Sequence, residues 1–170
     1  GANGLLKRSG LEVAELYALI ESPPWAGWRV AIDRGNDPCN VDSHRVKQRV
    51  ESGEGLVDLV GATRTAVFDL LHRALRLRLR MGWSTSTLLT VMQALGVDAG
   101  HPAFDMVAVA RLVALAKRFG PTPESLAQRI ISLHDAFGGL ESSAVRAARS
   151  QWLSLAEVSE SEHADLAALG

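Results

Sequence analysis

Potential metal ligands and acid–base groups gather in one short stretch of the chain, residues 33–44. Carboxylates, thiolates and imidazoles bind divalent metals and move protons in proteins. The stretch holds Asp33, Asp37, Cys39, Asp42 and His44. It lacks the central glycine and the closing glutamate of a calcium loop, and no basic environment is evident that would activate the thiol. We therefore expect no metal site and no nucleophilic cysteine, and we interpret residues 33–42 as a solvated loop.

The rest of the chain carries no motif for catalysis. There is no glycine-rich phosphate loop after a strand, no Gly-x-Ser-x-Gly and no His-Glu-x-x-His. The single cysteine excludes an internal disulfide and favours a reducing compartment. We predict a soluble intracellular protein that has no catalytic activity and no cofactor.

Charge is distributed unevenly along the chain, although the net charge is only −1. Residues 1–60 carry 7 basic and 9 acidic side chains, residues 61–120 carry 8 and 3, and residues 121–170 carry 3 and 7. A basic centre between acidic flanks can meet a phosphate backbone, or it can neutralise its own flanks. Both alternatives stay open at this point.

Residues 56–80 favour the first alternative, because their pattern matches a helix-turn-helix. Gly61 can supply the positive φ of the turn, with Val60 and Ala62 beside it. Val67 and Leu70 would pack the second helix against the first. Hydroxyl and guanidinium groups that follow the turn can contact phosphates and base edges. The predicted nucleic-acid-binding residues are Thr63, Arg64, Thr65, Arg73, Arg76, Arg78 and Arg80.

The same stretch also fits one unbroken amphipathic helix. Val57 stands where the motif usually has alanine, and Asp69 on the reading helix would repel a phosphate. Gly61 inside a helix costs only about 1 kcal/mol. The arginines would then lay their stems over apolar neighbours and pair with carboxylates of flanking helices.

Two tryptophans close together, Trp25 and Trp28, are candidates for a partner-binding loop. The alternative is that they hold this loop to the core of the protein. With one Tyr and four Phe, the chain lacks the aromatic platform on which single-strand binders stack bases. Nucleic acid would therefore be held through its phosphates.

Apolar periodicity and helix-capping residues predict a nearly all-helical chain. We expect an all-α fold in one compact domain, residues 1–170, with about six to eight helices and at most one short strand near 28–33. The predicted helices cover residues 11–22, 44–52, 56–81 (as one helix or two), 86–95, 104–119, 122–137 and 141–157, with a short final helix after Ser159.

These observations predict a helical nucleic-acid-binding protein, with DNA or RNA as the ligand and a helix-turn-helix regulator as the specific form. The alternative function is a helical protein–protein interaction or self-assembly module, including a homo-oligomeric, viral nucleoprotein-like scaffold. No apolar run is long enough to cross a membrane, so we expect no membrane partner.

Overall fold

In the described residues, three helices are followed by a small sheet, and only helices follow the sheet. The computed structural model describes residues 2–37, 39–50 and 55–136. The helices in those residues are α1 (Ala2–Ser9), α2 (Val13–Ile20), α3 (Pro23–Ala26), α4 (Gly61–Met81), α5 (Thr85–Ala94), α6 (Met106–Phe119) and α7 (Pro123–Ala136). The strands are β1 (Val30–Asp33), β2 (Arg45–Arg49) and β3 (Leu56–Asp58), and Val41–Ser43 forms one turn of 3-10 helix.

The chain divides into two compact units. Among the described residues, the first unit contains 2–37, 39–50, 55–85 and 98–102, and the second contains 86–97 and 103–136. The first unit therefore holds α1 to α4 and the sheet, and the second holds α5, from its second residue, with α6 and α7. That the whole chain is one domain stays a prediction.

The three strands form an antiparallel sheet in the order β1-β2-β3. Ile32 pairs with Val46, and Lys47 pairs with both Ala31 and Asp58. The prediction of an all-α fold is therefore wrong, because a three-stranded sheet lies beside the helices. The predicted strand near 28–33 is present as β1, whereas two strands were not expected.

Strand β2 occupies the stretch that the sequence analysis assigned to a polar helix over 44–52. Its side chains alternate: Arg45 and Lys47 share one face of the sheet, and Val46 and Gln48 share the other. Val46 is the only apolar residue among the five, so the sequence of this stretch shows no alternation of apolar and polar side chains. What makes the stretch a strand is pairing on both sides with β1 and β3, which no local pattern encodes.

Helix α4 begins at Gly61, and a strand rather than a helix precedes it. Gly61 does have the positive φ that we predicted, +54°. However, the first helix of the helix-turn-helix interpretation is missing, because Leu56–Asp58 pairs with β2. Residues 61–81 form one amphipathic helix, which ends at Gly82 with φ +64°.

The second unit follows the sequence prediction closely. Helix α6 starts at the cap Asp105, whose carboxylate accepts the Ala108 N–H at 3.0 Å, and Gly120 ends it with φ +83°. Thr122 caps α7 by accepting the Ser125 N–H at 3.1 Å. Six of the 14 residues of α6 are buried, and the last three are exposed, so this predicted core helix buries one side and leaves its end in solvent. The predicted helices beyond residue 140 lie outside the described residues.

We expect Gly82→Ala to lower the free energy of unfolding by about 1–2 kcal/mol. A Cβ at this position would meet no atom within 4 Å, so the cost comes from the left-handed backbone alone. The control is Gly4→Ala in helix α1, which is equally open and should instead add about 0.5–1 kcal/mol. Urea unfolding monitored by circular dichroism measures both, and equal effects of the two changes would contradict the assignment.

Candidate nucleic-acid interface

The buried stripe of α4 decides which of its polar side chains reach solvent. Apolar side chains recur every three or four residues along one side of the helix and are removed from solvent. They are Val67, Leu70, Leu71, Ala74, Leu75 and Leu77. The opposite side of the helix is therefore held outward over its whole length of about 31 Å.

Three cationic or potentially cationic side chains lie in one row on that outward side. His72, Arg76 and Arg80 follow one another at intervals of four residues, and all three are exposed. Four residues advance a helix by about 6 Å with little rotation, so the row spans about 12 Å. Within the described part of the chain, none of the three makes an ion pair. We call this set the α4 row.

The other predicted nucleic-acid-binding residues have different surroundings. Arg64 is exposed in the first turn of α4, but it stands away from the α4 row on the helical wheel. Thr63 is half-buried, and the Thr65 hydroxyl donates to the Gly61 carbonyl at 3.3 Å. Arg73 forms an ion pair with Asp69, with 3.0 Å between Nη2 and Oδ2. Arg73 thus balances the negative charge of Asp69, which the sequence analysis gave as an argument against the helix-turn-helix interpretation.

Arg78 points the other way, into the first unit. Its Nη1 donates to the Ser9 carbonyl at 3.3 Å, and Nη2 lies 3.7 Å from the Glu15 carboxylate. The carboxylate also accepts the Glu12 N–H and the Thr85 hydroxyl, each at 3.0 Å. The Glu12 N–H contributes most to lowering the pKa of Glu15, followed by Thr85, with a smaller contribution from Arg78. Arg78 therefore joins α4 to α1 and α2 and is not available as a surface cation.

The two tryptophans do not form an exposed pair. Trp25 is fully buried and Trp28 is half-buried. Their positions fit the alternative that this segment is held to the core. As a partner-binding residue, Trp25 would need the loop to open.

The side chains of residues 33–44 diverge. Asp33 pairs with Lys47 at 2.8 Å, Asp37 accepts the Cys39 N–H at 3.1 Å, and Cys39 is exposed. Asp42 belongs to the 3-10 turn, where its N–H donates to Asn40. No group of three potential metal ligands converges anywhere in the residues that the structure describes.

His44 is the one member of that stretch that turns inward. It is almost completely buried, and its Nδ1 hydrogen-bonds the Tyr17 hydroxyl of α2. The Arg34 guanidinium lies over the Tyr17 ring, 5.0 Å from its centre. Sequence reasoning missed this link because Tyr17 and His44 are 27 residues apart. It also missed His72, although its spacing of four from Arg76 was a readable signal.

Comparisons of the chain with protein-family models, with curated proteins and with solved structures found no match. Among the described residues, no helix is long and apolar enough to span a membrane.

We expect Arg78→Gln to lower the free energy of unfolding by about 1–3 kcal/mol. The change removes the hydrogen bond of the half-buried guanidinium to the Ser9 carbonyl and its ion pair with Glu15. The matched control is Arg76→Gln, which removes the same charge from an exposed site of the same helix and should change stability by less than about 0.5 kcal/mol. Urea titration compares the two variants. A larger loss for Arg76→Gln would contradict the assignment of the two side chains.

The Asp33–Lys47 pair predicts a pH-dependent stability. The hydrogen bond from Lys47 lowers the pKa of Asp33 below 3.8, with a further contribution from the Gly35 N–H. The same bond raises the pKa of Lys47 above 10.5. A carboxyl pKa that is lowered on folding stabilises the folded state at pH values above the pKa of that carboxyl in the unfolded chain. A lysine pKa that is raised on folding stabilises the folded state at pH values below the pKa of that lysine in the unfolded chain. Between these two pH values both Asp33 and Lys47 are charged, and the ion pair makes its full contribution to stability.

Accordingly, Asp33→Asn should lower Tm by a constant amount between about pH 5 and 9, and the difference should shrink below about pH 4. Thermal unfolding at a series of pH values measures it. In a Lys47→Gln background the effect of Asp33→Asn should be smaller. An unchanged effect there would show that Lys47 is not the partner that matters.

Proposed function

We propose that this protein binds nucleic acid through the phosphate backbone and that the α4 row is the contact. The observation that carries the proposal is the pair Arg76 and Arg80: adjacent, exposed and without an ion pair among the described residues. Like charges one helical turn apart destabilise a helix by a few tenths of a kcal/mol. A polyanion would relieve that repulsion. The acidic side chain on the same face, Asp69, lies almost two turns before Arg76 and pairs with Arg73.

The dimensions of the row also suit a phosphate backbone. Each strand of a duplex presents one negative charge for about every 3.4 Å of the axis, so a row of about 12 Å faces roughly three or four phosphates of one strand. The outward side of α4 carries no aromatic side chain that is fully exposed, and its exposed apolar residue is Leu79. Such a surface supports charge-based binding with little dependence on base sequence.

Helix α4 is not proposed as a base-reading helix. A helix-turn-helix needs a preceding helix to position the reading helix against the groove, and β3 occupies that place. This proposal keeps Arg76 and Arg80 of the sequence prediction. It drops Arg64, which stands away from the α4 row, Arg73, which pairs with Asp69, and Arg78, which is held in the first unit.

The test is fluorescence anisotropy of a labelled 30-base-pair duplex and a single strand of equal length, titrated at several salt concentrations. For Arg76→Glu/Arg80→Glu we expect a loss of affinity of at least about tenfold and a salt slope smaller by about 2, one for each phosphate contact. Circular dichroism checks that the variant is folded.

The matched control reverses two exposed cations elsewhere in the first unit, Lys7→Glu/Arg8→Glu on α1. Its net charge is the same, so it shows how much of the loss is due to overall charge. Equal losses in both variants would place the contact elsewhere, and salt-independent binding or none would refute the proposed function.

A second candidate function is self-association, which the edge of the sheet favours. β3 pairs with β2 on one side, and nothing in the described residues pairs with its other side. Val57 and Val60 beside it are 45% and 71% exposed. An open strand edge with apolar side chains can pair with another copy of the chain. Light scattering over a range of concentrations tests this, with Val57→Lys expected to shift an oligomer toward monomer.

A further inference from the structure

We propose that α6, the turn after it and α7 form a helix-turn-helix, and that α7 docks in the major groove of duplex DNA. The inference rests on the proposed function, because it names the nucleic acid and adds a second contact that reads bases. The turn glycine of this motif, Gly120, lies 59 residues after Gly61, which is the turn glycine that the sequence analysis selected.

The connection between the two helices has the required length. Helix α6 ends at Phe119, α7 begins at Pro123, and three residues lie between them. Gly120 takes the left-handed conformation with φ +83°, and its N–H donates to the Ala116 carbonyl at 3.0 Å. A turn of three or four residues that contains glycine is typical of this motif.

Buried side chains occupy some of the packing positions around the turn. Ala116, four residues before Gly120, is 5% exposed and is a small residue at the position where the motif usually has alanine. Leu115 beside it is buried, and so are Leu126 and Ile130 on α7. The corresponding residue before Gly61 is Val57, which is exposed on a strand. The second unit thus meets a requirement that residues 56–80 do not.

Helix α5 completes a three-helix unit around these residues. Leu88, Val91 and Met92 are buried. The hydroxyls of Ser86 and Thr87 donate to the Glu124 carboxylate at 2.8 and 2.9 Å. These bonds tie the start of α7 to the start of α5.

The outward side of α7 carries side chains that can read bases. The exposed polar residues Ser125, Gln128, Arg129 and Ser132 are spaced as i, i+3, i+4 and i+7 and therefore share one face. Glutamine pairs in a bidentate way with adenine, arginine with guanine, and serine with either. Arg129 makes no ion pair within the described ranges.

Charge at the end of α6 complements a phosphate backbone. Lys117 and Arg118 are exposed in its last turn, and the Arg118 guanidinium lies 5.7 Å from the centre of the exposed Phe119 ring. Two features differ from the usual pattern. Phe119, directly before the turn, is 68% exposed, whereas this position is usually buried. The motif usually has its second inward residue of the second helix at the position of Arg129, but here Arg129 is exposed and its neighbour Ile130 is buried. The outward turn of Arg129 adds to the reading face.

Duplex DNA is the ligand because only its major groove admits a helix. The major groove of duplex RNA is too narrow for side chains to read, and α7 lacks the aromatic side chains that hold single strands. The geometry therefore points to sequence-dependent DNA binding by α7.

The test is selection from a library of duplex DNA with a random 20-base-pair centre, followed by sequencing and by anisotropy on the selected duplex and a scrambled duplex of equal composition. We expect the selected duplex to bind at least about tenfold more tightly than the scrambled one. For Gln128→Ala/Arg129→Ala we expect this preference to fall to less than about twofold, with binding of the scrambled duplex retained and an unchanged circular dichroism spectrum.

The control variant Arg8→Ala/Gln93→Ala removes the same two side-chain types from exposed sites on α1 and α5 and should keep the preference. Absence of any preference in the unmodified protein, a preference that survives the α7 changes, or equal binding of an RNA duplex would overturn the inference. The variant Arg76→Glu/Arg80→Glu separates the two proposals. If the α4 row binds phosphates, it weakens binding of both duplexes equally and leaves the preference intact.

Discussion

Burial of one side of α4 is the constraint on which the first unit depends. Leu70, Leu71 and Ala74 are completely removed from solvent, and each large apolar side chain buried in this way contributes about 1.5–3 kcal/mol. No single surface charge contributes as much, because exposed ion pairs are worth less than about 1 kcal/mol. The apolar stripe therefore sets the rotation of the helix about its axis, and every arginine on it takes the position that this rotation allows.

Two neighbouring arginines show what that rotation does to chemically identical groups. Arg76 and Arg78 are separated by one residue, which is about 200° around a helix. The first reaches solvent, whereas the second lies beside Glu15 and the Ser9 carbonyl and holds three helices together. A charge count along the chain treats the two alike. Only one of them can meet an external phosphate without taking the unit apart.

The errors of the sequence predictions lie where long-range pairing decides the structure. Arg45–Arg49 carries enough polar residues to fit a helix, and it becomes a strand because β1 and β3 pair with it. The link between His44 and Tyr17 likewise joins segments far apart in the chain. Helices α6 and α7 were predicted to within two residues at each end, because Gly120 and Thr122 are local signals that act within one helical turn. The cap Asp105 was not recognised, and the predicted start of α6 is therefore two residues too early.

The amino-acid sequence by itself determined the helices of the second unit, the positive φ at Gly61 and Gly120, and the concentration of cations in residues 61–80. Each of these depends on interactions within a few residues, which a linear pattern records. Tertiary structure decided that residues 45–49 are a strand, that Arg78 and Trp25 are withdrawn from the surface, and that His72 lines up with Arg76 and Arg80 on an outward face. Which side of an element is buried depends on what packs against it, and that partner comes from elsewhere in the chain.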